Sequence, residues 1–183
     1  MVKKSKKVKE IPELQCRVNF FLIKKLSPRF NLKRFQENLK SFERELEKQG
    51  NKILREIGKI LKEEWKEKDI TIYPIPPEAK IPSMSSPLLL KIRSNQSFNL
   101  YVLTHELIHR FVEKSNLKID KKPGIELEAF VVFVTQKVFS KIFGAKLARK
   151  MRRIEKRIVM SRDEKMCEEI IKRKKKFWEE LIG

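Results

Sequence analysis

The chain has 183 residues, 40% of them hydrophobic and 37% charged, with a formal charge of +20. That is long enough for one domain with a real core and too apolar for a disordered chain. The excess of Lys and Arg points either to an anionic partner, such as nucleic acid or another polyanion, or to a heavily solvated surface rich in both Lys and Glu. The two cysteines, Cys16 and Cys167, form no CxxC pair and exclude a zinc ribbon or a disulfide framework.

Met1–Glu10 is basic and has no apolar segment behind it, so it reads as a mobile arm and not as a signal peptide. In "ELQCRVNFFLIKK" the residues Leu14, Cys16, Val18 and Phe20 alternate, which predicts a strand. From Asn31 to about Lys68 apolar residues recur every three or four positions, from Phe35 through Leu46 to Trp65. This is a helical stripe that Gly50-Asn51 either divides or bends. "DITIY" (Asp69–Tyr73) predicts a second strand, "PIPPEAKIPSMSSP" a loop, and "LLLKI" (Leu88–Ile92) a third strand. Ser97 is a candidate N-cap for the helix that follows.

That helix carries "YVLTHELIHRFVE" (Tyr101–Glu113), which holds both histidines of the chain. His105 and His109 are four residues apart, so a helix stacks their imidazoles on one face, close enough to share a metal ion. Glu106 beside the first histidine can reach a metal-bound water without being a ligand. This is the HExxH pattern, in which zinc lowers the pKa of a water and the glutamate takes its proton as a carbonyl is attacked. The plain alternative is two half-exposed histidines on an amphipathic helix. Val112 and Ser115 stand where a metzincin needs Gly and a third His, which excludes that class. A carboxylate must then close the site. Asp120, in a polar turn, is a weaker choice than Glu126 or Glu128, which open the next apolar helix, "IELEAFVVFVTQKVFSKIF". Residues 126, 129 and 130 share one face, where Ala129 permits close approach, and Glu128 is rotated by about 200° from Glu126. On that geometry Glu126 is the favoured third ligand and Glu128 the alternative.

From Ala145 two amphipathic basic helices follow. Leu147, Met151, Ile154 and Ile158 line the first. A capping box of Ser161 and Glu164 opens the second, which Met166, Ile170, Phe177 and Leu181 line. More than half of the excess positive charge lies in Met1–Glu10 and Ala145–Gly183. The C-terminal helices can complete the fold, bind a polyanion, or lie over a cleft as a lid.

"HELIH" followed by "ELEAF" resembles the gluzincin metallopeptidases. The short spacing is most similar to the minigluzincins and to the catalytic domains of the CAAX-type and HtpX-type endopeptidases. The resemblance covers about Leu88–Phe139. It implies His105, His109 and Glu126 as ligands of one zinc ion and Glu106 as general base and acid. It also implies that a sheet-edge strand beside the zinc helix holds substrate in extended form, a role that falls to Leu88, Leu89, Leu90, Lys91 and Ile92. The family usually carries Asp or Asn four residues after the ligand glutamate, supporting a zinc histidine, and Phe130 stands there in this chain.

The expected fold is α+β and mostly helical, with a small sheet beside the HExxH helix, a backing helix and a glutamate helix. The expected division is a basic arm at 1–12, a zincin-like domain at 13–144 and a basic helical appendage at 145–183. The expected function is zinc-dependent hydrolysis of peptides or proteins, as an endopeptidase, in the cytoplasm and without a membrane span. The competing expectation is a basic nucleic-acid-binding protein whose zinc site is structural or vestigial. Tyr73, Tyr101, Arg93 and Arg110 are the candidates for stabilising an oxyanion.

Overall fold

The computed structural model describes residues 11–122, 124–159 and 162–182, the side chains of 158, 159, 162 and 163 excepted. The basic arm before residue 11, the stripe position Ile158 and the Ser161 half of the capping box lie outside them. The chain runs β1 (Glu13–Cys16), α1 (Phe20–Leu26), α2 (Leu32–Leu61), β2 (Asp69–Ile75), β3 (Met84–Ser85), β4 (Leu88–Lys91), α3 (Gln96–Lys114), α4 (Ile125–Phe143), α5 (Ala145–Val159) and α6 (Arg162–Ile182). It is an α+β protein, mostly helical, and no helix among the described residues is long and apolar enough to cross a membrane.

The first strand stops earlier than its alternation suggests. Asn19 has extended backbone and its side chain accepts from Leu22 N at 3.0 Å, which starts α1 at Phe20. A local cap thus overrides the period-two pattern, and Phe20 and Phe21 end up exposed on a short helix.

α2 is one continuous helix. Asn31 caps it, Phe35, Leu39, Phe42, Leu46, Ile53, Leu54, Ile57 and Leu61 are buried, and Lys62 ends it in the left-handed conformation. Gly50 neither divides nor terminates it. A Cβ at that position would lie 3.0 Å from Leu14 Cδ1, so the glycine lets β1 pack against the helix.

The four strands are ordered β1-β2-β4-β3. β1 and β4 flank β2 in parallel, and β3 pairs antiparallel with β4 through Met84–Leu89 and Ser85–Leu88. β3 lies inside the stretch that its prolines mark as loop. A strand of two residues leaves no periodic signal. One sheet face sends Ile70, Ile72, Leu88, Leu90 and Ile92 into the main core. The other sends Ile75 and Leu89 into a small second core with Ala79, bordered by Leu22 and Leu26 of α1. Burial on both faces explains why β4 reads as a continuous apolar run.

Asn95, not Ser97, caps α3, accepting from Phe98 N at 3.0 Å. α4 lies at the centre of the helical layer, packed on α2, α3, α5 and α6, which accounts for a sequence that is apolar almost all round. α5 and α6 contribute Ala148, Met151, Cys167, Trp178 and Ile182 to that same core.

Candidate metal centre

α3 presents His105 and His109 one helical turn apart, with their Nε2 atoms 3.1 Å from each other. Glu128 of α4 meets both: Oε1 lies 3.2 Å from His105 Nε2 and Oε2 lies 3.0 Å from His109 Nε2. One ligand atom from each of the three residues falls within 4.8 Å of the others. Two nitrogens each about 2.05 Å from one tetrahedral zinc ion lie about 3.3 Å apart, so the observed spacing suits a single ion of that size. These three residues can hold a metal ion.

Glu126 does not join them. Its Oε1 accepts from Lys174 Nζ on α6. The physical reason is the register of α4 against α6. Phe130, one turn after Glu126, packs edge-on against Trp178 with ring centroids 5.4 Å apart, and Trp178 lies one turn after Lys174. Glu126 and Phe130 therefore share the face turned to α6. Glu128, rotated by about 200°, falls on the face turned to α3. The expectation of Glu126 as ligand is corrected to Glu128. The rotation between the two was right, but the face assigned to the histidines was the wrong one. Phe130 then no longer occupies the position four residues after the ligand.

His105 and Glu128 favour each other's charged form. Burial alone would lower the His105 pKa, but the hydrogen bond and charge of Glu128, with Glu106 and Glu155 nearby, raise it to about 9. Burial works to raise the Glu128 pKa, and the two imidazoles outweigh it, holding the carboxyl well below the usual carboxylate range. Glu106 is 8% exposed, and burial, partly offset by the two histidines, raises its pKa.

Sequence reasoning missed Glu155 of α5. Its Oε1 lies 3.7 Å from His105 Nδ1, and that nitrogen is buried with no hydrogen-bond partner among the described residues. Glu155 Oε2 accepts from Arg152 Nη1 at 2.5 Å and from the Tyr101 hydroxyl at 3.2 Å, and Gln136 Nε2 donates to the same hydroxyl at 2.7 Å. The available signal was a single acidic residue on the otherwise basic α5, one turn after Met151 on the buried stripe.

The three residues open into a cleft of about 700 Å³, bordered by Ser83–Ser86, Lys91, Arg93, Phe98 and Val102. A second hollow of about 460 Å³ shares Ser85, Ser86, His109 and Glu128 and continues past them to Lys121 and Gly124. The groove thus passes the histidines on both sides. Of the segment expected to bind substrate, Leu88, Leu89, Leu90 and Ile92 are buried in the cores and only Lys91 lines the cleft. β4 is an inner strand, and the edge beside the histidines is β3.

Arg110 fixes that edge. Its Nη1 donates to Ser85 O at 3.1 Å, while Nε and Nη2 grip the Glu67 carboxylate at 2.6–3.0 Å, with Lys114 Nζ adding a bond at 2.8 Å. Arg110 is thereby committed, Tyr101 is committed to Glu155, and Tyr73 borders the second core. Of the four oxyanion candidates, Arg93 alone lines the cleft among the described residues.

The fold and site define a mostly helical α+β protein with a two-histidine, one-carboxylate cluster in an open groove. Comparison with protein-family models, with curated proteins and with solved structures gave no match.

Proposed function

We propose that the chain is a zinc-dependent peptidase that hydrolyses internal peptide bonds. The observation that carries the reading is the convergence of His105, His109 and Glu128 on one point of an open groove, with Glu106 next to the first ligand. A zinc ion held there would supply a Lewis acid that polarises the scissile carbonyl and acidifies water. Glu106 accepts the proton of the attacking water and returns it to the leaving amine. His105, His109 and Glu128 would hold the ion, and the Glu155 carboxylate, 3.7 Å from His105 Nδ1, would act on that imidazole through its charge, in place of the residue that follows the ligand glutamate in the resembling family. A groove open on both sides of the histidines admits chain in either direction, which favours internal cleavage over removal of terminal residues. The β3 edge, set by Arg110, is the strand placed to pair with an extended substrate.

Metal analysis of the purified chain, paired with digestion of an unfolded protein such as reduced casein, tests this. One zinc per chain and cleavage abolished by Glu106→Gln are expected. A folded chain that takes up no zinc stoichiometrically, or a Glu106→Gln variant as active as the parent, overturns the reading.

A further inference from the structure

The cleft is electrically divided. Phe98, Val102, His105, Glu106 and His109 form one wall along α3, a spacing that follows a single helix face. Glu106, Glu128 and Glu155 gather at the histidine end, Lys91 and Arg93 stand at the Phe98 end, and Lys80 also lines the cleft.

Arg93 is held in place with unusual care. Asn99 is fully buried, and its side chain brackets the Arg93 backbone: Oδ1 accepts from Arg93 N at 3.0 Å and Nδ2 donates to Arg93 O at 2.8 Å. The guanidinium carbon lies 5.3 Å from the Phe98 ring centroid. Its one side-chain hydrogen bond among the described residues is a long one, Nη1 to Lys91 O at 3.4 Å. Among those residues no carboxylate oxygen comes within ion-pairing distance of either Arg93 or Lys91. Lys91 is fixed through its backbone, whose N–H donates to Ser83 Oγ at 3.2 Å. Burial lowers the pKa of both side chains, and the charge of Arg93 presses that of Lys91 down further, against a smaller opposing effect of the Glu78 charge. Two like charges lining one cleft, Arg93 the more withdrawn from water, are relieved by an anion that reaches both.

We propose that Lys91 and Arg93 form an anion subsite of the cleft, which takes a carboxylate of the bound peptide. That carboxylate is an Asp or Glu side chain or a free C-terminus. The proposal rests on the peptidase reading and narrows its substrate class. Phe98 and His105 are seven residues apart, about 10 Å along the helix axis. An extended peptide advances about 3.3 Å per residue, so the carboxylate lies roughly three residues from the bond that is cut.

The test uses alanine-rich octapeptides capped at both ends, with one Glu moved stepwise along the chain, their Gln counterparts, and an uncapped peptide with a free C-terminus. Binding to zinc-loaded Glu106→Gln protein is measured by calorimetry, and cleavage by the parent protein is mapped by mass spectrometry. Glu peptides should bind at least about tenfold tighter than their Gln counterparts, as expected for a charge-assisted hydrogen bond. Cleavage should fall at a constant offset from the Glu. In Arg93→Gln the preference should shrink to within about twofold, and Arg93→Lys should keep part of it. Lys91→Gln serves as the second variant should Arg93→Gln not fold. Tight binding of the uncapped peptide alone would assign the subsite to the C-terminal carboxylate, and tight binding of internal Glu peptides to a side chain. Equal binding of Glu and Gln peptides, with no gain from a free C-terminus, overturns the subsite. So does a preference that persists unchanged in both variants. Failure to cut any peptide would refute the peptidase reading, and the binding ratios would still decide the subsite.

Discussion

Glu126 and Glu128 differ in nothing but their turn on α4, so they make a matched pair of substitutions. Glu128→Ala removes the carboxylate that reaches both Nε2 atoms. It should weaken zinc binding by more than the roughly 10–100-fold that losing an outer-sphere contact costs. Glu126→Ala removes an ion pair to Lys174 on a half-exposed surface and should leave zinc affinity unchanged. A competition titration with a chromophoric chelator checks both, and equal losses in the two would refute the assignment. Glu155 acts one step further out. Glu155→Gln keeps the shape but withdraws the charge that faces His105 Nδ1, and should lower zinc affinity by about 10–100-fold. The same titration reads the loss, and an unchanged far-ultraviolet circular dichroism spectrum shows that the fold is intact. The HExxH pattern was legible because its spacing is local to one helix. Glu155 was not, because fifty residues separate it from His105 and only the packing of α5 on α3 brings them together.

At the scale of elements, the groove depends on how β3 is fastened. Two residues make a poor strand by themselves, and Arg110 ties Ser85 to α3 while Glu67 holds the guanidinium in place. Burial acts to raise the Glu67 pKa, and the hydrogen bonds and charges of Arg110 and Lys114 overcome it, so the net shift is downward. A carboxyl depressed in the folded state contributes stability above its unfolded pKa, about 4.3, and loses it as pH falls through the lower folded value. Glu67→Gln should therefore lower the melting temperature at pH 7. The difference from the parent should close progressively below about pH 4. Calorimetric melts across pH 2.5–7 check this, and a gap that stays constant down to the acid end would contradict it. The long helix α2 was legible from its apolar spacing, α3 from the spacing of its histidines within an apolar run, and α4 from the length of its apolar run. α1 and β3 were not. A side-chain cap at Asn19 decided the first, and pairing with β4 alone decided the second.

For the whole molecule, α6 holds α4 in register. Trp178 is 2% exposed and packs against both Phe130 and Phe133. Trp178→Ala should cost about 3–5 kcal/mol of stability. Because the same contact turns Glu128 towards α3, the variant should also bind zinc more weakly at temperatures where it remains folded. Denaturant unfolding and the chelator titration measure the two effects. A loss of stability with no loss of zinc affinity would show that α4 keeps its rotation without α6. The basic helices that looked separable by charge thus reach the histidines twice, through Trp178 behind α4 and through Glu155 beside His105.

The sequence by itself determined the mixed helical class, the long amphipathic helices and the pairing of His105 with His109. Each of these follows from periodicities of two to four residues, which the chain carries locally. The tertiary structure decided which acid completes the cluster. A helix buried on all sides has no polar face to announce its orientation. Glu128 meets the histidines in the register in which Phe130 docks on Trp178, some fifty residues further along the chain, with α2, α3 and α5 packed on the other sides of α4.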